Sequence, residues 1–248
     1  MNLHAPTPVP PVPDPSSPQS DQLVTAVLLD LDGTITDSGP VILDAVEASL
    51  TDLGLPVGGR EELMSFIGPP LTEGFRLHAG LTGQDNTRAV ALYRQHYRRH
   101  MHQAPLYDGV ARLLQQLTAW QIPVSLATSK REDYAVEILQ HAGLDRSFTA
   151  FAGADPADRY GSKEEVVRLA LKRLGQAGAD TRRVIHVGDR RHDVDGAHDA
   201  GLECVGVLWG YGDAEELAQA DWLVPDPAAL TTLVGRLMGR LAGWQGQD

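Results

Sequence analysis

From Thr25 onward the chain alternates short, unbroken apolar runs with stretches in which apolar residues recur three and four apart. Ala26-Val27-Leu28-Leu29 is one such run, ending in Asp30-Leu31-Asp32-Gly33, and a continuous apolar run of this length suits a strand buried on both faces of a parallel sheet. Similar runs recur over residues 123–127, 148–153, 184–187, 204–208 and 222–224. Helical spacing fills residues 109–120, 131–142, 163–174 and 227–241. A βαβα order of this kind predicts an α/β fold built on a doubly wound parallel sheet, Rossmann-like in layout.

Residues 39–103 break the rhythm. They read as consecutive helices over 41–53, 60–66, 71–78 and 85–101, punctuated by Gly58-Gly59, Gly68-Pro69-Pro70 and Gly80, with no convincing strand. An all-helical block inserted after the first strand predicts a cap, so the expected organisation is a core of residues 22–38 and 104–248 with a helical cap at 39–103. Prolines crowd residues 1–21, a composition that favours extended, solvated conformers and predicts a disordered tail.

Composition narrows the function classes. The chain has 248 residues, 42% of them hydrophobic, and a formal net charge of −12. That field repels phosphate backbones and anionic lipid, so general electrostatic binding to nucleic acid or to a membrane surface is disfavoured. No apolar run approaches the roughly 18 residues of a spanning helix, and the N-terminus lacks a secretory pattern. The single cysteine, Cys204, lies in the apolar run ECVGVLWG and reads as a buried small hydrophobe in a reducing compartment. A cytoplasmic protein, monomeric or homodimeric, is the expectation.

Candidate chemistry gathers at strand ends. Side chains alternate along a strand, so Asp30 and Asp32 would project the same way into the crevice beyond the sheet, where two like charges call for a cation. The run RVIHV ends in Gly188-Asp189 and continues to Asp193, placing more carboxylates at a second strand end. Oxygen ligands without cysteine favour Mg²⁺ over zinc. Each acidic turn taken alone reads equally well as an ordinary surface loop. Two helix starts would seat an anion: Ser125-Leu126-Ala127-Thr128-Ser129-Lys130, with Ser129 and Glu132 at capping-box spacing, and Gly161-Ser162-Lys163, with Ser162 and Glu165 likewise.

Together VLLDLDGTITDS, SLATSK, Lys163 in GSKEEVV and HVGDRRHD resemble, in order, the four motifs of the haloacid dehalogenase superfamily of phosphohydrolases. The segments FIGPPL and GVLWGYG look most like the branch holding phosphoglycolate phosphatases and bacterial 5′-nucleotidase-like phosphatases. The resemblance implies a nucleophilic Asp30, an acid–base Asp32, and Mg²⁺ held by Asp30, the backbone carbonyl of Asp32 and Asp189. Asp193 would orient a water on the ion or Lys163. It further implies a phosphoryl grip from Gly33, Thr128, Ser129 and Lys163. Retention of Asp32 argues for ester rather than halide chemistry, since a departing halide needs no proton. The implied substrate is a small phosphorylated metabolite, either 2-phosphoglycolate or a nucleoside 5′-monophosphate. A β-phosphoglucomutase-type mutase is the alternative, and a non-catalytic binding protein the least favoured reading. In the cap, Gly68, Pro69 and Arg76 are the candidates for contact with the leaving group.

Other constellations read as structural. His96, His100 and His102 fall on a cationic helix end, and His186, His192 and His198 surround the fourth motif as packing or supporting groups. Trp209 and Tyr211 read equally as a substrate rim or as filling beside the sheet. The charged loop before Lys163 reads as a linker.

Overall fold

The computed structural model describes residues 23–67, 70–155 and 161–239. The proline-dense tail, Gly68, Pro69, residues 156–160 and the C-terminal residues from 240 lie outside these, and with them the expectations placed there.

Five parallel strands form the main sheet: β1 (Ala26–Leu29), β2 (Val124–Leu126), β5 (Val184–Gly188), β6 (Glu203–Val207) and β7 (Trp222–Val224), in the spatial order β2-β1-β5-β6-β7. β1 is fully buried, as its apolar run predicts, and pairs Leu28 with Ser125 on one side and with His186 on the other. β1 thus has β2 on one side and β5 on the other, so the strand order switches direction there and a crevice opens beyond its carboxyl end. A short parallel pair, β3 (Thr128–Arg131) and β4 (Gly153–Ala154), and a bridge from Ser125 to Ala150 continue the sheet past β2.

Helices cover the sheet: α5 (Val110–Ala119), α6 (Glu132–His141), α7 (Lys163–Gln176), α8 (Arg191–Asp199) and α9 (Pro227–Leu237). The helix expected to reach residue 241 is α9, and its assigned span closes at Leu237. The expected strand at 148–153 contracts to the bridge at Ala150 and to β4. Two elements escape the sequence pattern. α8 is short and polar, too brief for a clear period. β3 replaces the helix start expected at Ser129, because Thr128 pairs with Gly153 across the sheet. α6 begins at Glu132 behind Arg131, with no side-chain cap, so the Ser129–Glu132 capping box does not form. The Glu132 carboxylate instead accepts the Gly153 N–H at 3.2 Å and pairs with Arg173 at 2.6 Å.

Between β1 and α5 the described residues hold helices α1 (Gly39–Asp52), α2 (Arg60–Met64), α3 (Leu71–Ala79) and α4 (Gly83–His100) and one short 3₁₀ turn, without a strand of the main sheet. α1 and α3 pack on α4. The chain leaves and returns through adjacent passages: Asp37 N–H donates to the Pro105 carbonyl at 2.9 Å and Tyr107 N–H to the Ile35 carbonyl at 3.1 Å.

Candidate active site

Asp30 follows β1, Asp189 follows β5 and Thr128 opens β3 just past β2, so three strand ends deliver them to one crevice. α7 brings the fourth group. Ser162 and Glu165 form their capping box, with Ser162 Oγ accepting the Glu165 N–H at 3.3 Å and the Glu165 carboxylate accepting the Ser162 N–H at 3.0 Å. The box fixes the first helical residue, Lys163. Its Nζ, almost fully buried, donates to Asp30 Oδ1 at 2.7 Å and to the Ala127 carbonyl at 3.2 Å, and pairs with Asp193 Oδ1 at 2.6 Å. Gly196 on α8 makes this approach feasible, since a Cβ there would meet the Lys163 side chain at 2.6 Å.

Asp193 is held by its own turn: its Oδ2 accepts the Asp189 and Arg190 N–H groups at 3.1 and 3.0 Å. Behind it the buried His186 places Nε2 3.2 Å from Oδ1. Asp189 Oδ2 accepts the Tyr211 N–H at 2.7 Å. Gly33, at φ +81°, packs so closely on Asp189 that a Cβ would overlap its carboxylate. The Gly33 N–H is spent on the Thr36 carbonyl at 2.9 Å. Gly33 thus packs as a support for Asp189, with its own N–H already engaged.

Oxygens of Asp30, Asp189 and Asp193 lie within 4.8 Å of one another. One ammonium pairs with two of these three buried carboxylates, Asp30 and Asp193, so the charge of the cluster is not balanced. Burial pushes Asp30 up to about 7, with Asp193 and Asp32 adding to the effect and Lys163 opposing it. Burial and the neighbouring Asp193 and Asp30 likewise push Asp189 well up. Asp193 is the exception: burial opposes its charge, yet Lys163 and His186 hold its carboxyl well below the usual range. Lys163 is correspondingly raised against its own burial by Asp193 and Asp30. A cluster of hard oxygen donors carrying excess negative charge fits a hard divalent cation.

Asp32 turns elsewhere. Its Oδ2 pairs with Lys130 Nζ at 2.9 Å and its Oδ1 accepts the Ser38 hydroxyl at 2.5 Å. Only its backbone carbonyl is left as a candidate metal ligand. Asp30, Asp32, Thr128, Ser129, Lys163 and Asp193 all line one cavity of about 240 Å³, closed from the helical side by Ile42, Phe66, Ile67, Pro70, Leu71 and Thr72. The Thr128 hydroxyl accepts the Lys130 N–H at 3.2 Å, which leaves its proton to be donated.

Arg76 is not among the residues that line the cavity; its exposed guanidinium stands 3.6 Å from Glu73. Gly68 and Pro69 lie outside the described residues. Trp209 and Tyr211 pack and tether rather than form a rim: Trp209 Nε1 donates to the Thr34 carbonyl at 3.0 Å, and the Tyr211 hydroxyl donates to Asp37 at 2.8 Å. The histidines outside the motif find single partners, His96 with Asp52, His102 with Glu137 and His198 with Asp221. Among the described residues they form no metal cluster.

Sequence reasoning missed Lys130, Arg190 and the tyrosine wall. Lys130 lies on β3, whose pairing with β4 shifts register between Thr128 and Arg131 and whose four residues all line the cavity, a placement hidden by the expected helix start. Tyr93 and Tyr97 stand four apart on α4, the spacing of helical neighbours, and stack at 5.5 Å, with Tyr134 beyond at 6.3 Å. Arg190 spans the two sides of the cavity, donating to the Ile67 carbonyl at 2.7 Å and to Glu216 at 2.7 Å.

Comparison with known proteins follows the same lines. A profile of the haloacid dehalogenase-like hydrolases matches residues 27–207. The chain is 38% identical over 216 residues to the tyrosine-protein kinase PtkA of Mycobacterium tuberculosis, covering 86% of this chain and 72% of that one. It is 35% identical over 192 residues to a 5′-nucleotidase of Pseudomonas aeruginosa, covering 77% and 86%. The crystal structure of a predicted phosphatase from Clostridium acetobutylicum superposes with a TM-score of 0.81 at 32% identity, covering 87% of this chain and all of the other. With four motifs in order, their side chains gathered in one crevice and a profile match over most of its length, the chain belongs to the haloacid dehalogenase-like hydrolase family.

Proposed function

We propose that this enzyme is a phosphatase that hydrolyses a small phosphate monoester through an aspartyl phosphate on Asp30. The observation that carries the reading is the meeting of Asp30, Asp32, Lys163 and Thr128 on one cavity. In this reading an Asp30 oxygen attacks phosphorus and the bond to the ester oxygen breaks. Asp32 gives that oxygen its proton, then takes one from the water that cleaves the acyl phosphate. The Lys163 ammonium, the Thr128 hydroxyl and the Ser129 backbone hold the equatorial oxygens of the moving phosphoryl group. Mg²⁺ is the proposed cation, held by Asp30, the Asp32 carbonyl and Asp189. When bound, it offsets the repulsion between this carboxylate cluster and an anionic substrate. Asp193 keeps Lys163 in place.

Residues 39–103 would act as the cap over a core of residues 22–38 and 104–248, shutting water out when substrate is bound. The cavity suits a metabolite-sized leaving group such as that of 2-phosphoglycolate or a nucleoside 5′-monophosphate. Release of free phosphate from a panel of such esters, with Mg²⁺ and with EDTA, tests the reading, together with trapping of a phosphoenzyme. No turnover with Mg²⁺ on any ester, p-nitrophenyl phosphate included, overturns it. A rearranged sugar phosphate in place of free phosphate would mark a mutase. The likeness to a protein named as a tyrosine kinase favours a second reading, transfer to a protein tyrosine; phosphotyrosine formed from a labelled nucleoside triphosphate would mark that activity.

A further inference from the structure

Lys130 has the wrong surroundings for a purely structural lysine. Its side chain is only 7% exposed, lies in the cavity wall, pairs with the carboxylate of Asp32 and sits 4.2 Å over the ring of Tyr97. Burying an ammonium and a carboxylate together seldom gains stability over an apolar pair, so the pair calls for a use. A second observation lies beside it. Tyr97 also lines the cavity, is 1% exposed, and its hydroxyl has no hydrogen-bond partner in the protein. A buried hydroxyl without a partner is disfavoured unless something else supplies one.

Position says what that something is. If Asp32 protonates the departing ester oxygen, then that oxygen lies within hydrogen-bond reach of Asp32, and Lys130, 2.9 Å from the same carboxylate and in the wall of the same cavity, lies close to the leaving group as well. An ammonium carries three donors, and the pair with Asp32 engages one of them, which leaves donors in the cavity wall for a second anion. We infer that Lys130 and Tyr97 form a second anion seat for the leaving group, selecting phosphate esters that carry a carboxylate or a second phosphate within one or two bonds of the ester oxygen. A nucleoside places no charge there. This inference rests on the phosphatase reading and narrows its substrate class to doubly anionic small molecules.

The test compares kcat/KM for three substrates of the wild type: 2-phosphoglycolate, its neutral twin the O-phosphate of glycolamide, and pyrophosphate, with p-nitrophenyl phosphate as an activity control. The wild type should prefer the charged compounds by at least about tenfold. Lys130→Met should lower the ratio of charged to neutral by about 10- to 100-fold, the scale of one lost charge-assisted hydrogen bond, and Lys130→Arg should retain part of it. Tyr97→Phe should lower the ratio less, without lowering the melting temperature, because its hydroxyl bonds nothing in the free protein. The two charged compounds separate a carboxylate seat from a phosphate seat. Equal wild-type kcat/KM for charged and neutral esters overturns the inference while leaving the phosphatase standing. So does an equal loss on both in Lys130→Met, which would make Lys130 only a prop for Asp32. Should Lys130→Met fail to fold, an unchanged ratio in Tyr97→Phe is the overturning result. An enzyme that releases no phosphate from any of the four compounds, p-nitrophenyl phosphate included, removes the phosphatase reading and this seat with it.

Discussion

Asp30 carries two burdens, as the proposed nucleophile and as one of three crowded carboxylates, and a single substitution separates them. Asp30→Asn should cut turnover by more than about 10³-fold and abolish any trapped phosphoenzyme, since the amide cannot attack phosphorus as the carboxylate does. The metal-free variant should melt no lower than the parent, because the change removes one charge from a cluster held together by one ammonium. A thermal scan in EDTA beside a steady-state assay checks both halves. Asp32→Asn should discriminate by leaving group. An alkyl ester needs the proton and should slow markedly, whereas p-nitrophenyl phosphate departs without much help; a rapid-quench measurement of the first step on both substrates settles the ratio.

At the scale of elements, the site depends on how α7 begins. The Ser162–Glu165 box fixes the helical turn that delivers Lys163 across 133 residues of sequence to Asp30. Ser162→Ala removes an N-cap worth about 1 kcal/mol and should lower the melting temperature by about 2–4 °C. It should also reduce kcat several-fold by loosening Lys163, and calorimetry with kinetics on the same preparation would separate the two effects. The box at Ser162 was legible because its partners lie three residues apart and nothing competes for them. The same spacing at Ser129 and Glu132 misled, since pairing of Thr128 with Gly153 keeps the backbone extended and Arg173 captures the Glu132 carboxylate. Local spacing proposes a cap, and long-range partners dispose of it.

For the whole molecule, the charge cluster links stability to pH and to metal. The folded-state value of Asp30, raised to about 7 by burial, means that the protonated carboxyl is favoured in the folded protein. Its stabilising contribution is thus fully present below the unfolded value near 4 and is lost as pH rises through about 7, a change of a few kcal/mol. Asp189 pushes in the same direction, whereas Asp193, shifted down, acts oppositely and only at strongly acid pH. The melting temperature in EDTA should therefore fall between about pH 5 and pH 8. Mg²⁺ should raise it more at pH 8 than at pH 5, because a cation binds the ionised cluster and must displace protons at lower pH. Differential scanning fluorimetry across that range would reveal either a rising or a flat EDTA profile as a contradiction.

The sequence by itself determined the alternation of buried strands and helices along the chain, the placing of Asp30 and Asp189 at strand ends, the start of α7 at Lys163 and the helical run between β1 and α5. These follow from stereochemistry between neighbours: an apolar run too short for a helix, a carboxylate three residues past a serine, alternation along a strand. Only the tertiary structure decided that Asp193 rather than the Asp32 side chain completes the carboxylate cluster, that Gly33 packs on Asp189, that Arg76 stays in solvent, and that Lys130 and Tyr97 line the cavity. Those outcomes turn on which charges and rings meet across distant segments, and such meetings are settled by packing and by the cost of leaving a buried charge without a partner.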